Sequence, residues 1–205
     1  KIASRPIEVT APSQLSPVFK VRDFGPGLSV TDTKQLLCGY GSSGEHKRES
    51  NGYVGGFGVG SKVGFAVTSA FTYTIWHGGK KLIWSCYLDE FDASKAALLS
   101  EEVCSADETG VEVAIPVTPE RIHEFDTELQ IAFMWYDIKP VLHGTKILPK
   151  DRPTIVVEDT LHVKHNNTDV SVPFAVVKND DRQRTRIGVV MGNIEYPIEM
   201  GATTV

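Results

Sequence analysis

Two glycine elements carry the chemistry that this sequence could do. The first is Asp23-Phe24-Gly25-Pro26-Gly27, a carboxylate followed closely by two glycines. A carboxylate fixed beside bare backbone can accept the exocyclic amine of adenine, while Gly25 and Gly27 give the ring room to lie flat against the chain. The second element is denser: of 18 glycines, half (39, 41, 44, 52, 55, 56, 58, 60 and 64) fall between Gly39 and Gly64. Glycines ahead of a helix let backbone N–H groups approach an anion, which gives this segment the character of a phosphate cradle. It matches none of the standard cradles. Gly55 and Gly60 have P-loop spacing, but Ser61-Lys62 follows in the reverse of the P-loop order. Gly58-Val59-Gly60 opens a dinucleotide fingerprint, yet Val63 stands where its third glycine belongs. A protein-kinase reading fails at Pro116, which occupies the place of the lysine after Val113-Ala114-Ile115.

Strands and a helix must hold these residues. Val18 to Val21 predicts a strand that delivers Arg22-Asp23 to its end. Gly60 to Phe71 predicts a helix, because Val63, Ala66, Val67, Ala70 and Phe71 recur at i, i+3, i+4, i+7 and i+8. Between them Leu36 to Lys47 is polar and rich in glycine, suited to a lid over a ligand. Thr72 to Trp76 and Lys81 to Leu88 flank His77-Gly78-Gly79-Lys80, the pattern of a hairpin. Val111 to Val117 alternates as a further strand with Glu112 outward. Thr118-Pro119 then supplies an N-cap and first-turn proline for a helix to about Trp135, with Ile122, Phe125, Leu129 and Phe133 on one face. The expected class is α+β, a mixed or antiparallel sheet covered on one face by helices. From Lys139 the texture changes: Pro140, Gly144, Pro149, Asp151 and Pro153 punctuate the chain, and β-branched runs follow at 154–157, 170–177 and 187–190. This divides the chain into residues 1–140 and a β-rich segment, 141–205. That segment reads as a smaller second domain, or as strands beyond a crossing loop of the same one.

Composition narrows the partners. A net charge of -5 over 205 residues gives no electrostatic case for nucleic acid or anionic lipid along the whole chain. Arg182, Arg184 and Arg186 are diluted by Asp180 and Asp181, the pattern of a solvated hairpin tip. Cys38, Cys86 and Cys104 form no C-x-x-C pair, which fits free thiols in a reducing compartment. No histidine spacing matches a metal motif, and no cysteine lies near His162 and His165. No apolar run reaches the length of a membrane span. Trp76, Trp84, Trp135 and Tyr136 lie on apolar stripes and are expected in the core. The chain opens at Lys1 on a strand-like pattern, so it is expected to be a piece of a longer protein.

The order Asp-x-Gly-x-Gly at 23–27, Ser42-Ser43-Gly44 in a lid, and Gly55-Gly56-Phe57-Gly58-Val59-Gly60-Ser61-Lys62 before a helix resembles the nucleotide site of the GHKL superfamily, which includes gyrase, MutL, heat-shock chaperones and histidine kinases. Thr109-Gly110-Val111-Glu112-Val113 resembles the superfamily's late strand, whose threonine and bound water face adenine. Within the superfamily the wording is most similar to the rapid-lysis rIIA proteins of T-even-type phages. That likeness rests on residues 21–29, Glu49-Ser50-Asn51-Gly52, Gly55 to Lys62 and residues 190–198.

The resemblance implies a Bergerat-type two-layer sandwich with a transducer-like segment after it. It implies ATP and Mg²⁺ as cofactors, with Asp23 accepting the adenine amine, Gly25 and Gly27 beside the base, and Thr109 as a second base contact. Gly56, Phe57, Gly58, Val59 and Gly60 would surround the phosphates. Ser61 and Lys62 would add side-chain contacts, Lys62 alternatively being a solvated helix lysine. Ser42 and Ser43, with His46 and Lys47, would belong to the lid. The superfamily's first motif, a helix with a Glu that activates water and an Asn that holds Mg²⁺, cannot be written between Lys1 and Lys20, where Pro6, Pro12 and Pro17 interrupt strand-like spacing. No catalytic or metal-ligating residue is therefore assigned, and weak nucleotide binding with little or no hydrolysis is expected of this chain. The resemblance further implies lid closure that drives homodimerisation, and a phage protein of the host cytoplasm at the inner face of the membrane, with a membrane-associated partner and a role in lysis control and phage exclusion. A gyrase-like or MutL-like DNA-directed relative, and an interaction scaffold without nucleotide, are the alternatives.

Overall fold

The computed structural model describes residues 5–38, 60–145, 154–165, 168–181, 184–191 and 194–198. Contacts divide the chain into two units, the first Lys1–Asp126 with Pro140–Lys146, the second Thr127–Lys139 with Ile147–Val205. The boundary expected at 140/141 thus falls where the chain returns briefly to the first unit before entering the second.

The first unit is an α+β fold built on one mixed seven-stranded sheet. Its strands are β1 (Glu8–Thr10), β2 (Val18–Arg22), β3 (Ala70–His77), β4 (Lys80–Leu88), β5 (Ser94–Val103), β6 (Gly110–Pro116) and β7 (Val141–His143). They stand in the order β5-β4-β3-β6-β2-β1-β7, antiparallel throughout except for the parallel pair β1–β7. The β3–β4 hairpin closes as expected: His77 pairs with Lys80, and the two linking glycines hold φ of +60° and +75°, the signs that a type I′ turn requires.

One face of this sheet carries the core. Phe71, Ile75, Leu82, Trp84, Cys86 and Ile115 are buried with Leu37, and Leu28, Val30, Phe65 and Val67 pack onto them. Leu37 and Val30 belong to helix α1 (Val30–Cys38), Phe65 to a 3₁₀ helix over Gly60–Ala66. Phe125, in the first turn of helix α2 (Ile122–Ala132), lies 5.0 Å from the Phe19 ring, centroid to centroid. Glu112 sits in alternation with Val111 and Val113, which face this core, so it is directed to the opposite side of the sheet.

Two helical expectations need correction. The helix read over Gly60 to Phe71 is a 3₁₀ segment that ends at Ala66, and Ala70 and Phe71 already belong to β3. Phe71, Tyr73 and Ile75 alternate into the core, and that period of two wins over the helical spacing. The helix from Thr118-Pro119 forms, but begins as a 3₁₀ turn over Pro119–Arg121 and stops at Ala132, short of Trp135. Thr118 caps without a side-chain hydrogen bond, and the Arg121 N–H donates to its carbonyl instead.

Helix α1 was not expected. Its start is an N-cap: the Asp32 N–H donates to Ser29 Oγ at 3.1 Å, and Ser29 Oγ in turn donates to Asp32 Oδ2 at 2.6 Å. Ser29→Ala is expected to cost about 1 kcal/mol and to lower the thermal midpoint by roughly 2–4 °C for a chain of this size, a shift that calorimetry would read.

In the second unit β8 (Thr154–His165), β9 (Thr168–Asp181), β10 (Arg184–Met191) and β11 (Ile194–Ile198) form a four-stranded antiparallel sheet in the order β11-β10-β9-β8. The β-branched runs are the centres of longer strands. Arg184 and Arg186 pair with Asp181 and Asn179 beside the β9–β10 turn. Met134, Trp135 and Val190 form a small buried cluster, and Trp135 Nε1 donates to Glu195 Oε2 at 3.0 Å.

Candidate nucleotide site

The Asp23–Gly27 segment leaves the end of β2 and is held between two other strand ends. The Asp23 N–H donates to the Val111 carbonyl at 2.8 Å, which continues the β2–β6 ladder one residue past Arg22. Gly110, the first residue of β6, lies against the same residue at φ +120°; a Cβ there would sit 2.1 Å from the Asp23 carbonyl oxygen. On the other side Gly27, at φ +71°, has the Trp76 carbonyl oxygen 2.1 Å from where its Cβ would be. Both glycines are required by close backbone approach, and together they fix the segment across the ends of β6 and β3.

Within the segment, Asp23 Oδ1 accepts the Gly25 N–H at 2.8 Å. This is an Asx turn, and it orients the carboxylate by tying one oxygen to the backbone two residues on. Thr109 immediately precedes Gly110, so the sequence-distant Asp23 and Thr109 elements meet at one place. Thr109 lines a cleft of about 570 Å³ with Arg5, Glu8, Arg22, Phe24, Asp107 and Glu108, and of the site residues expected from the sequence it is the one that this cleft includes among the described residues; Asp23, Gly25, Gly27 and Lys62 do not line it.

The cleft wall includes a stack that no local pattern announced. The Arg22 guanidinium lies 3.7 Å over the Trp76 ring and 5.0 Å from that of Phe24, and Arg5 covers Phe24 at 3.4 Å. Among the described residues the buried Arg22 Nε has no hydrogen-bond partner, and the aromatic faces are what compensate that part of the guanidinium. Arg5 also pairs with Glu8 at 3.0 Å.

Of the phosphate element, Ser42, Ser43, Gly56, Phe57, Gly58 and Val59, with His46 and Lys47, lie outside the described residues. Gly60, Ser61 and Lys62 open the 3₁₀ segment. A Cβ at Gly60 would meet nothing within 4 Å. Ser61 Oγ and Lys62 Nζ both donate to the Leu36 carbonyl, at 3.2 and 3.4 Å. That carbonyl is among the last four of α1, where a cation also meets the negative end of the helix dipole. Lys62 is buried, only 8% exposed, so the alternative of a solvated helix lysine is corrected: its stem and ammonium are packed against α1. The Tyr73 hydroxyl donates to the Ser61 carbonyl at 3.0 Å, and burial, with Cys86 adding to it, pushes its pKa upward, so it remains a donor.

Among the described residues no group of three or more His, Cys, Asp or Glu is arranged to hold a metal ion, and no helix is long and apolar enough to cross a membrane. Cys104 is a free thiol, and Cys86 is buried. Compared with known proteins, the chain matches no family model and no curated protein at a significant level.

Proposed function

We propose that this chain is the ATP-binding module of a Bergerat-fold ATPase of the GHKL type, resembling the phage rIIA proteins. The observation that supports this reading is the junction at Gly110, whose backbone packs against the Asp23 carbonyl and so brings the start of β6, with Thr109 just before it, to the Asp23 segment from 86 positions away in the sequence. The Asx turn holds one Asp23 oxygen on Gly25, and the other serves as acceptor for the adenine amine. Gly25 and Gly27 keep side chains clear of the base, and Thr109 adds the second polar contact. Gly56 to Lys62 cradles the phosphates, and Ser42 and Ser43 belong to a lid that closes over them. Mg²⁺ arrives with the nucleotide, where it would neutralise phosphate charge. Closure of the lid alters how the parent protein associates, through a nucleotide-dependent homodimer and a membrane-associated phage partner, and the output is control of lysis and exclusion. The second unit acts as the transducer-like element.

The test is a thermal-shift titration with Mg·ATP, a non-hydrolysable analogue and Mg·GTP. Saturating Mg·ATP is expected to raise the midpoint by several degrees, since a ligand that binds only the folded state stabilises it by mass action. GTP, which presents a carbonyl where adenine has its amine, is expected to give no shift. Asp23→Asn separates the turn from the base contact. Asn can still accept the Gly25 N–H through Oδ1, but its remaining Nδ2 is a donor facing a donor. Loss of the ATP shift with an unchanged apo midpoint is the expected result. An Asp23→Asn chain that binds as well as the parent would mean that the carboxylate serves the turn alone, and the interaction-scaffold reading would replace this one.

A further inference from the structure

The Phe24–Leu28 segment has no secondary structure, contains two glycines, and includes Pro26, which has no N–H to give. Among the described residues two hydrogen bonds fasten it. One is internal, from the Gly25 N–H to Asp23 Oδ1. The other comes from 51 positions along the chain: His77 Nδ1 lies 2.9 Å from the Pro26 carbonyl oxygen. A carbonyl can only accept, so this bond requires the proton on Nδ1.

His77 is well placed to hold something still. It ends β3 and begins the Gly78-Gly79 turn, whose two positive φ values and flanking His77–Lys80 pair define its geometry. The residue before it, Trp76, supplies both the carbonyl that Gly27 packs against and the ring on which Arg22 stacks. The side chain itself is exposed, so burial gives no reason for a histidine at this position. The bond to Pro26 does.

We propose that His77 is a positioning residue, a latch whose Nδ1–H clamps the Phe24–Leu28 segment onto the end of β3 in the form that receives the nucleotide base. This deepens the nucleotide reading and rests on it. Without the latch the two glycines regain conformational freedom, and the bound form has to be selected from a wider ensemble, which lowers apparent affinity.

The experiment combines amide hydrogen exchange at Gly27 and Leu28 with Mg·ATP titration, for the full chain and for His77→Ala, His77→Asn and His77→Asp. Asn places an N–H donor near the position of Nδ1, whereas Asp offers only acceptors. His77→Ala is expected to speed exchange at both amides, and to weaken Mg·ATP, by roughly fivefold, the equivalent of one net hydrogen bond of ~1 kcal/mol. His77→Asn should restore both, His77→Asp neither, and the thermal midpoints of all four chains should agree within about 4 °C, the most that losing one such bond costs a chain of this size. Unchanged exchange in His77→Ala overturns the latch. So does failure of Asn to rescue, which would leave ring packing as the cause. If the parent chain binds Mg·ATP and His77→Ala binds it equally well, the latch falls and the nucleotide reading stands. If the parent chain binds no Mg·ATP, the nucleotide reading falls and takes the base-receiving role of His77 with it.

Discussion

Gly110→Ala is expected to destabilise the chain by about 3–4 kcal/mol, lowering the thermal midpoint by roughly 10 °C. Two costs coincide there. At φ +120° an L side chain is strained wherever it points, and the new methyl would lie 2.1 Å from the Asp23 carbonyl oxygen and 3.0 Å from Phe24 Cα. Backbone cannot rotate out of the way as a side-chain tip can. Asp23 is tethered by its N–H to the Val111 carbonyl one residue further along β6, so relief requires the ladder between β2 and β6 to open at this end. The same movement would separate Asp23 from Thr109, so Gly110→Ala should also lose the ATP shift at temperatures where it remains folded. Gly60→Ala is the matched control. Its Cβ meets nothing within 4 Å and no positive φ is involved, so the change should fall within about ±0.5 kcal/mol. Urea unfolding followed by circular dichroism would measure both, and equal midpoints for the two variants would refute the argument from close approach.

The parts of this fold that were legible in the sequence are those where local pattern and tertiary environment agree. β2, β3, β4 and β6 alternate against a single core face, and the Gly78-Gly79 link has one obvious use. β5 was missed because Leu99 is an extra residue against β4: Ile83 pairs with Ser100 and Trp84 with Leu98, so the alternation slips by one in mid-strand. Helix α1 has few apolar residues, and Ser29-x-x-Asp32 was the one signal it carried. β7 is three residues between Pro140 and Gly144, and turn chemistry conceals it.

The site divides along the same line. The turn at Asp23, Gly25 and Gly27 was legible because an aspartate just before glycines is a local turn signal. The Arg22–Trp76 stack, the His77–Pro26 bond and the hold of Lys62 on α1 join residues far apart in sequence, and no local spacing encodes such contacts. Lys62 also bears on how the phosphate element would work. Its ammonium already donates to the Leu36 carbonyl, so a phosphate would have to share that cation with the end of α1. Nucleotide charge and α1 would then be coupled through one side chain, a route by which an occupied cradle changes the helix that precedes the lid.

Gly64→Ala should cost about 2–3 kcal/mol, and a second substitution at Phe71 should cost less in its presence than it does alone. The added methyl would lie 2.7–2.8 Å from three atoms of the Phe71 ring, closer than packed carbons come. That ring has nowhere to go: Phe71 is 2% exposed and is held edge-on by Phe65 at 4.8 Å and Tyr73 at 5.7 Å between centroids. The 3₁₀ segment would have to lift from the sheet instead. The Val67 and Thr68 N–H groups both donate to the Gly64 carbonyl, so the lift would be felt through the turn that leads into β3. It would also pull Ser61 and Lys62 from the Leu36 carbonyl. Phe71→Leu removes the colliding ring atoms and leaves a cavity of its own, so alone it too is destabilising, by about 1–3 kcal/mol. In the double variant the alanine methyl occupies part of that space. The double-mutant cycle should therefore give a favourable coupling of more than ~1 kcal/mol, measured by urea unfolding of the four chains. Additive losses would mean that glycine at position 64 answers to backbone conformation and not to the Phe71 ring.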